Sequence, residues 1–152
     1  MLTRRFFLGA AVAGPLIGMT SGAAQADEPQ FFASKGAVIR GYDPVSYFIE
    51  GKPVKGLKTY ALMWKGGTWH FANAKNRTAF EADPFAYAPQ YGGYCAYAVS
   101  RGYTATTEPD AWRIHDGKLY LNHNQRVRTL WSRDIPGNVE KANANWPAVL
   151  RN

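Results

Sequence analysis

Cys95, His70 and Met63 are the residues of this chain whose types could do chemistry together. Cys95 is the only cysteine in 152 residues and stands in the run Tyr91-Gly92-Gly93-Tyr94-Cys95-Ala96-Tyr97. The chain opens with an export-type segment, and exported proteins normally keep cysteines in disulfide pairs. A lone thiol there is a metal ligand, a redox or nucleophilic group, an intermolecular link, or an inert buried residue. A thioether, an imidazole and a thiolate together favour Cu(I). A cysteine–histidine set completed by other ligands holds Zn(II) or Cu(II). Each residue also has a plainer role: Met63 as core filling, His70 as a hydrogen-bonded structural histidine, Cys95 as a buried thiol.

Two further readings compete with metal binding. A thiol enzyme would use Cys95 as nucleophile and His70 as its base. No third orienting residue, oxyanion-hole motif or Cys-x-x-Cys pair supports it, so the chain reads as non-catalytic more readily than as an enzyme. A metal-free binding module would use Tyr91, Tyr94, Tyr97 and Tyr103 to line a groove for a small ligand or partner, against ordinary aromatic core packing. His115 and His123 do not make a metal pair. In a hairpin turning at Asp116-Gly117 they lie about 16 Å apart along the ladder.

The elements that must position these groups are legible in part. Tyr60-Ala61-Leu62-Met63-Trp64 and Thr68-Trp69-His70-Phe71-Ala72 flank Lys65-Gly66-Gly67. A two-residue turn at Gly66-Gly67 sets Trp64 opposite Trp69, Met63 opposite His70 and Leu62 opposite Phe71. Alternation then gathers Tyr60, Leu62, Trp64, Trp69 and Phe71 on a core face, with Met63 and His70 on the other. Before this hairpin, Ala37–Ile39 reads as a short strand, and Asp43-Pro44 caps a short helix. After it, Asn73 caps a helix over 74–82 that Asp83-Pro84 stops. An aromatic loop follows to Gln90, then a strand over 94–99 carrying Cys95, Tyr97 and Val99 on one side. A second hairpin runs through 112–122, and helices cover about 124–133 and 137–150.

The first 26 residues read as a cleaved targeting segment. Thr3-Arg4-Arg5-Phe6-Phe7-Leu8 fits the twin-arginine pattern, the apolar stretch to Met19 is too short to span a bilayer, and Ala24-Gln25-Ala26 supplies a small-x-small cleavage site. This implies the twin-arginine export machinery as a partner and a periplasmic destination. Removing 26 residues from 152 leaves 126, enough for one domain, with 27–40 as a flexible lead-in and a single domain over 41–150. Loss of Arg4 and Arg5 lowers the formal charge from +7 to +5. The remaining basic residues are scattered along the chain and read as a solvated surface, not as a nucleic-acid interface. The mature part contains no transmembrane segment.

Two stretches together carry a resemblance. Gly41-Tyr42-Asp43-Pro44-Val45 opens the domain, and Trp69-His70-Phe71-Ala72-Asn73, Phe80 and Asp83-Pro84-Phe85-Ala86-Tyr87 continue it. This resembles the YHS domain over roughly residues 41–100. The Tyr-Gly-Gly-Tyr-Cys-Ala run, Asp116–Asn122 and Asn145-Trp146-Pro147 look like the exported stand-alone form. The resemblance implies an α+β fold: a small treble-clef-like β-hairpin–helix unit with an extra hairpin and C-terminal helices. It also implies metal handling, copper first, through cysteines. Those cysteines correspond here to Ser46, Ala72 and Asn76, so the thiolate site does not transfer. The sequence thus points to non-catalytic copper or zinc binding at Cys95, His70 and Met63, with a metal-free ligand or partner module as the alternative.

Overall fold

A computed structural model describes residues 27–151, and among these it shows three short antiparallel hairpins and six α-helices. The expected targeting segment lies outside the described residues. The first hairpin pairs β1 (Ala33–Ser34) with β2 (Ala37–Val38), and α1 (Ser46–Ile49) follows. The second pairs β3 (Leu57–Trp64) with β4 (Gly67–Phe71) and runs into α2 (Ala74–Ala82) and α3 (Pro84–Tyr87). Beyond α4 (Ala96–Ser100), β5 (Trp112–His115) pairs with β6 (Lys118–Leu121). The chain then forms α5 (Gln125–Ser132), α6 (Ile135–Asn145) and a last 3-10 turn over Ala148–Arg151. Among the described residues no helix is long and apolar enough to cross a membrane.

All three hairpins close in the same way. Lys35-Gly36, Lys65-Gly66 and Asp116-Gly117 each place both turn residues at positive φ, the conformation that matches strand twist in a two-residue hairpin. The turn of the second hairpin is therefore one residue earlier than the sequence suggests. Gly67 is instead the first residue of β4, where an added Cβ would lie 2.7 Å from Val38 Cγ2 and 3.1 Å from Phe31 Cδ2. Its glycine serves close packing against β2, not the turn. The register slides accordingly: Met63 pairs with Thr68, Leu62 with Trp69 and Ala61 with His70. Because side chains alternate with period 2, a two-residue slide leaves the faces unchanged. Tyr60, Leu62, Trp64, Trp69 and Phe71 do face the core.

The helix over 74–82 has the expected bounds, with the Asn73 side chain accepting from the Asn76 N–H at 2.8 Å. Pro84–Tyr87 is helical, not loop, because Asp83 caps it through the Ala86 N–H. The segment 94–99, expected as a strand, turns into α4. The Val99 N–H donates to the Cys95 carbonyl at 3.0 Å in helical fashion. The segment expected as a flexible lead-in is built into the core. Phe31 packs among Val38, Trp69 and Phe80, while Phe32 joins Tyr94, Trp131 and Val149 in a second cluster. Strand β6 separates the two clusters, sending Leu119 and Leu121 to one and Tyr120 to the other.

Candidate functional site

Cys95 is 1% exposed at the start of α4. Its sulfur accepts the His123 N–H at 3.3 Å and lies 3.7 Å from Asn122 Oδ1, which also accepts the Tyr97 N–H. Burial pushes the thiol pKa up, partly countered by the surrounding backbone N–H groups. It borders an apolar cavity of about 280 Å³ with Tyr97, Tyr103 and Val127. His123 borders the same cavity, its Nδ1 lying 3.1 Å from the Thr106 carbonyl oxygen and 3.2 Å from Thr106 Oγ1.

The other two sequence candidates lie elsewhere. Met63 is 67% exposed, with Thr68 Oγ1 3.9 Å from its sulfur, and sits diagonally across the hairpin from His70. His70 borders a different cleft from Cys95. The tyrosines also separate. Tyr91 donates to Asn143 and Tyr94 to the Pro29 carbonyl inside the second core cluster, while Tyr97 and Tyr103 border the Cys95 cavity. Among the described residues no group of three or more His, Cys, Asp or Glu side chains could hold a metal ion. Cys95 and His70 border separate clefts and Met63 is exposed on the hairpin, so the described residues do not gather the three expected donors at one site.

Ser46, Ala72 and Asn76, by contrast, are brought together. The carboxylate of Asp43, fully buried, accepts from the Ala72 N–H at 2.8 Å and Asn76 Nδ2 at 2.7 Å through one oxygen. Its other oxygen accepts from the Val45 N–H at 2.8 Å and the Ser46 N–H at 3.4 Å, capping α1. Asn76 Nδ2 also lies 3.4 Å from Ser46 Oγ. The three positions that the YHS resemblance assigns to ligand cysteines are thus tied by hydrogen bonds around one carboxylate.

His70 borders a cleft of about 450 Å³, together with Lys35, Arg40, Lys55 and Lys58. These cations come from well-separated segments, and Glu108 is the only carboxylate among the lining residues. Arg40 and Gly41 line the cleft, and with the buried Ile39 before them they have three consecutive positive φ angles, 44°, 59° and 77°. Such a conformation is a genuine outlier for the β-branched Ile39 and costs on the order of 1–3 kcal/mol per strained residue. Three backbone bonds hold it: the Ile39 N–H donates to the Phe32 carbonyl, the Tyr42 N–H to the Ile39 carbonyl and the Gly56 N–H to the Gly41 carbonyl. Gly41 also lies close to the imidazole, where an added Cβ would come within 3.0 Å of His70 Nδ1.

The turn positions charge. Arg40 Nε donates to the Thr107 carbonyl at 2.9 Å and Nη2 meets Glu108 Oε1 at 3.3 Å. Lys55 Nζ donates to the Arg40 carbonyl at 2.6 Å and stands 4.8 Å from the Tyr42 ring centroid. Lys35 and Lys58 are exposed, with no carboxylate within ion-pair distance among the described residues. Burial first, and then the charges of Lys58 and Lys55, hold the His70 pKa below its ordinary value. The sequence hides this arrangement because its cations come from two stretches, 35–40 and 55–58, that only the fold brings side by side. The chain matches no family model, no curated protein and no solved structure.

Proposed function

We propose that the chain is an exported YHS-like module that binds a small anionic ligand, without a metal, in the cleft bordered by His70, Arg40, Lys55 and Lys58. This is the metal-free binding alternative, placed at a different site from the tyrosine groove. The observation that carries it is the excess of positive charge. Four cations and a histidine share the cleft with one carboxylate, on a backbone turn held in a costly conformation. A group of like charges left uncompensated raises its own energy, and an anion relieves it. The convergence of Ser46, Ala72 and Asn76 on Asp43 supports the YHS-like reading and a structural role for that centre. The twin-arginine pattern supports export to the periplasm. The inaccessible, high-pKa thiol of Cys95 speaks against a thiol enzyme.

The test is thermal unfolding of the full-length protein with increasing sulfate or inorganic phosphate, at constant ionic strength set by chloride. Binding to the folded state at 100 times Kd would stabilise it by about 2.7 kcal/mol. The Lys58→Gln and Lys55→Gln variants should show a smaller increase in Tm. An equal response in wild type and both variants, or none at all, would count against the site.

A further inference from the structure

We propose that Glu108 is the resident anion of this cleft, an internal latch on Arg40 that a ligand with two negative charges releases and a singly charged one does not. The inference rests on the anion-binding reading and adds a charge threshold, so that the ligand class is a small dianion.

Glu108 Oε1 lies 3.3 Å from Arg40 Nη2. The segment bearing it is fastened on both sides: Thr107 Oγ1 donates to the Gly93 carbonyl at 2.8 Å, and Tyr47 Oη donates to the Pro109 carbonyl at 2.8 Å. The Glu108 N–H itself donates to the Asn122 carbonyl at 3.1 Å. A carboxylate tethered this way competes at an effective concentration on the order of millimolar or above. A monoanion that displaced it would exchange one negative charge for another, with no gain at Arg40. It would settle on the lysines instead. A dianion that replaces the carboxylate at Arg40 keeps a second charge for the lysines, Lys55 among them, that line the same cleft. The latch is weak enough to yield, since both partners are partly exposed, with side-chain exposures of 35% and 48%.

Binding of sulfate and of acetate to the full-length protein, measured by calorimetry, separates the possibilities. Glu108→Gln should tighten sulfate binding by up to about fivefold, the scale of an exposed ion pair. Arg40→Gln should weaken sulfate binding and leave acetate binding unchanged, and it should abolish the gain from Glu108→Gln in the double variant. Acetate should become sensitive to Arg40 only in the Glu108→Gln background. If sulfate binds but Glu108→Gln leaves its affinity unchanged, the latch is refuted while the anion site stands. A gain that persists in the double variant also refutes it, because Glu108 would then act by general repulsion. If neither anion binds any form of the protein, the anion-binding reading itself fails.

Discussion

Replacing Asp43 by alanine should remove the best-connected polar group in the structure. Its carboxylate accepts four hydrogen bonds, three of them between 2.7 and 2.8 Å, and it has no solvent exposure. The substitution leaves the Ala72 N–H and one Asn76 amide donor without their main acceptor, at about 1–3 kcal/mol for each stranded group. It also removes the cap of α1, worth about 1 kcal/mol. Allowing for partial overlap, the loss should be about 4 kcal/mol, a large share of the 5–15 kcal/mol typical of a domain. For a chain of this length that is about 15 °C in Tm. Urea unfolding should show a lower midpoint with an unchanged m-value. Asp43→Asn should cost nearly as much, because its amide turns a donor toward donors. Ser46→Ala, which loses only a 3.4 Å contact to Asn76, should cost under about 1 kcal/mol. An Asp43→Ala protein within 1 kcal/mol of wild type would refute the idea that this carboxylate organises α1, β4 and α2.

The cleft predicts a pH dependence. His70 is held below its ordinary value of about 6.5 by burial and by Lys58 and Lys55, both positive, so in the free protein it is neutral at pH 7. A bound anion offsets those charges and raises its pKa, so sulfate affinity should rise as pH falls from about 6.5 toward the free-state value, with proton uptake. Calorimetry near pH 6 in two buffers of different ionisation enthalpy measures that uptake, and His70→Gln should abolish it; identical uptake in the variant would exclude His70. In the unliganded protein, the same depressed pKa makes His70's contribution to stability complete above about 6.5 and reduced as pH falls through the folded value. Cys95 should alkylate at a small fraction of the rate of an unfolded control at neutral pH, given its burial and raised pKa. Rapid stoichiometric labelling of the native protein would overturn its assignment as a structural thiol.

Local signals with a single physical meaning could be read from the sequence. Asn73 before a helix and Asp83-Pro84 after it have few other uses, and both boundaries fall where the residues indicate. The core face of the second hairpin was also legible, since alternation survives a two-residue slide, whereas the register was not. Two neighbouring glycines offered two turn positions, and the choice was made by Val38 and Phe31 pressing on Gly67. The run 94–99 has no periodicity to distinguish strand from helix over so few residues. Its helical form depends on distant partners, with the Cys95 N–H on the Ala105 carbonyl and the Tyr97 N–H on Asn122. The His70 cleft was the least legible part. Nothing local marks Lys35, Arg40, Lys55 and Lys58 as neighbours, and the left-handed turn at Ile39 contradicts its own residue type.

The placement of residues 28–32 has a consequence for the order of events during synthesis. The Glu28 N–H donates to the Leu150 carbonyl at 2.7 Å, Tyr94 Oη donates to the Pro29 carbonyl, and the Phe32 N–H donates to the Gly92 carbonyl. The earliest of these residues to leave the ribosome must therefore wait for partners made much later, the last of them near residue 150. A nascent chain stopped before α6 would carry Phe31 and Phe32 without the full set of contacts that buries them. The fold closes like a drawstring, residue 28 tied to residue 150 by one hydrogen bond, and is complete only once the chain through residue 150 has been made.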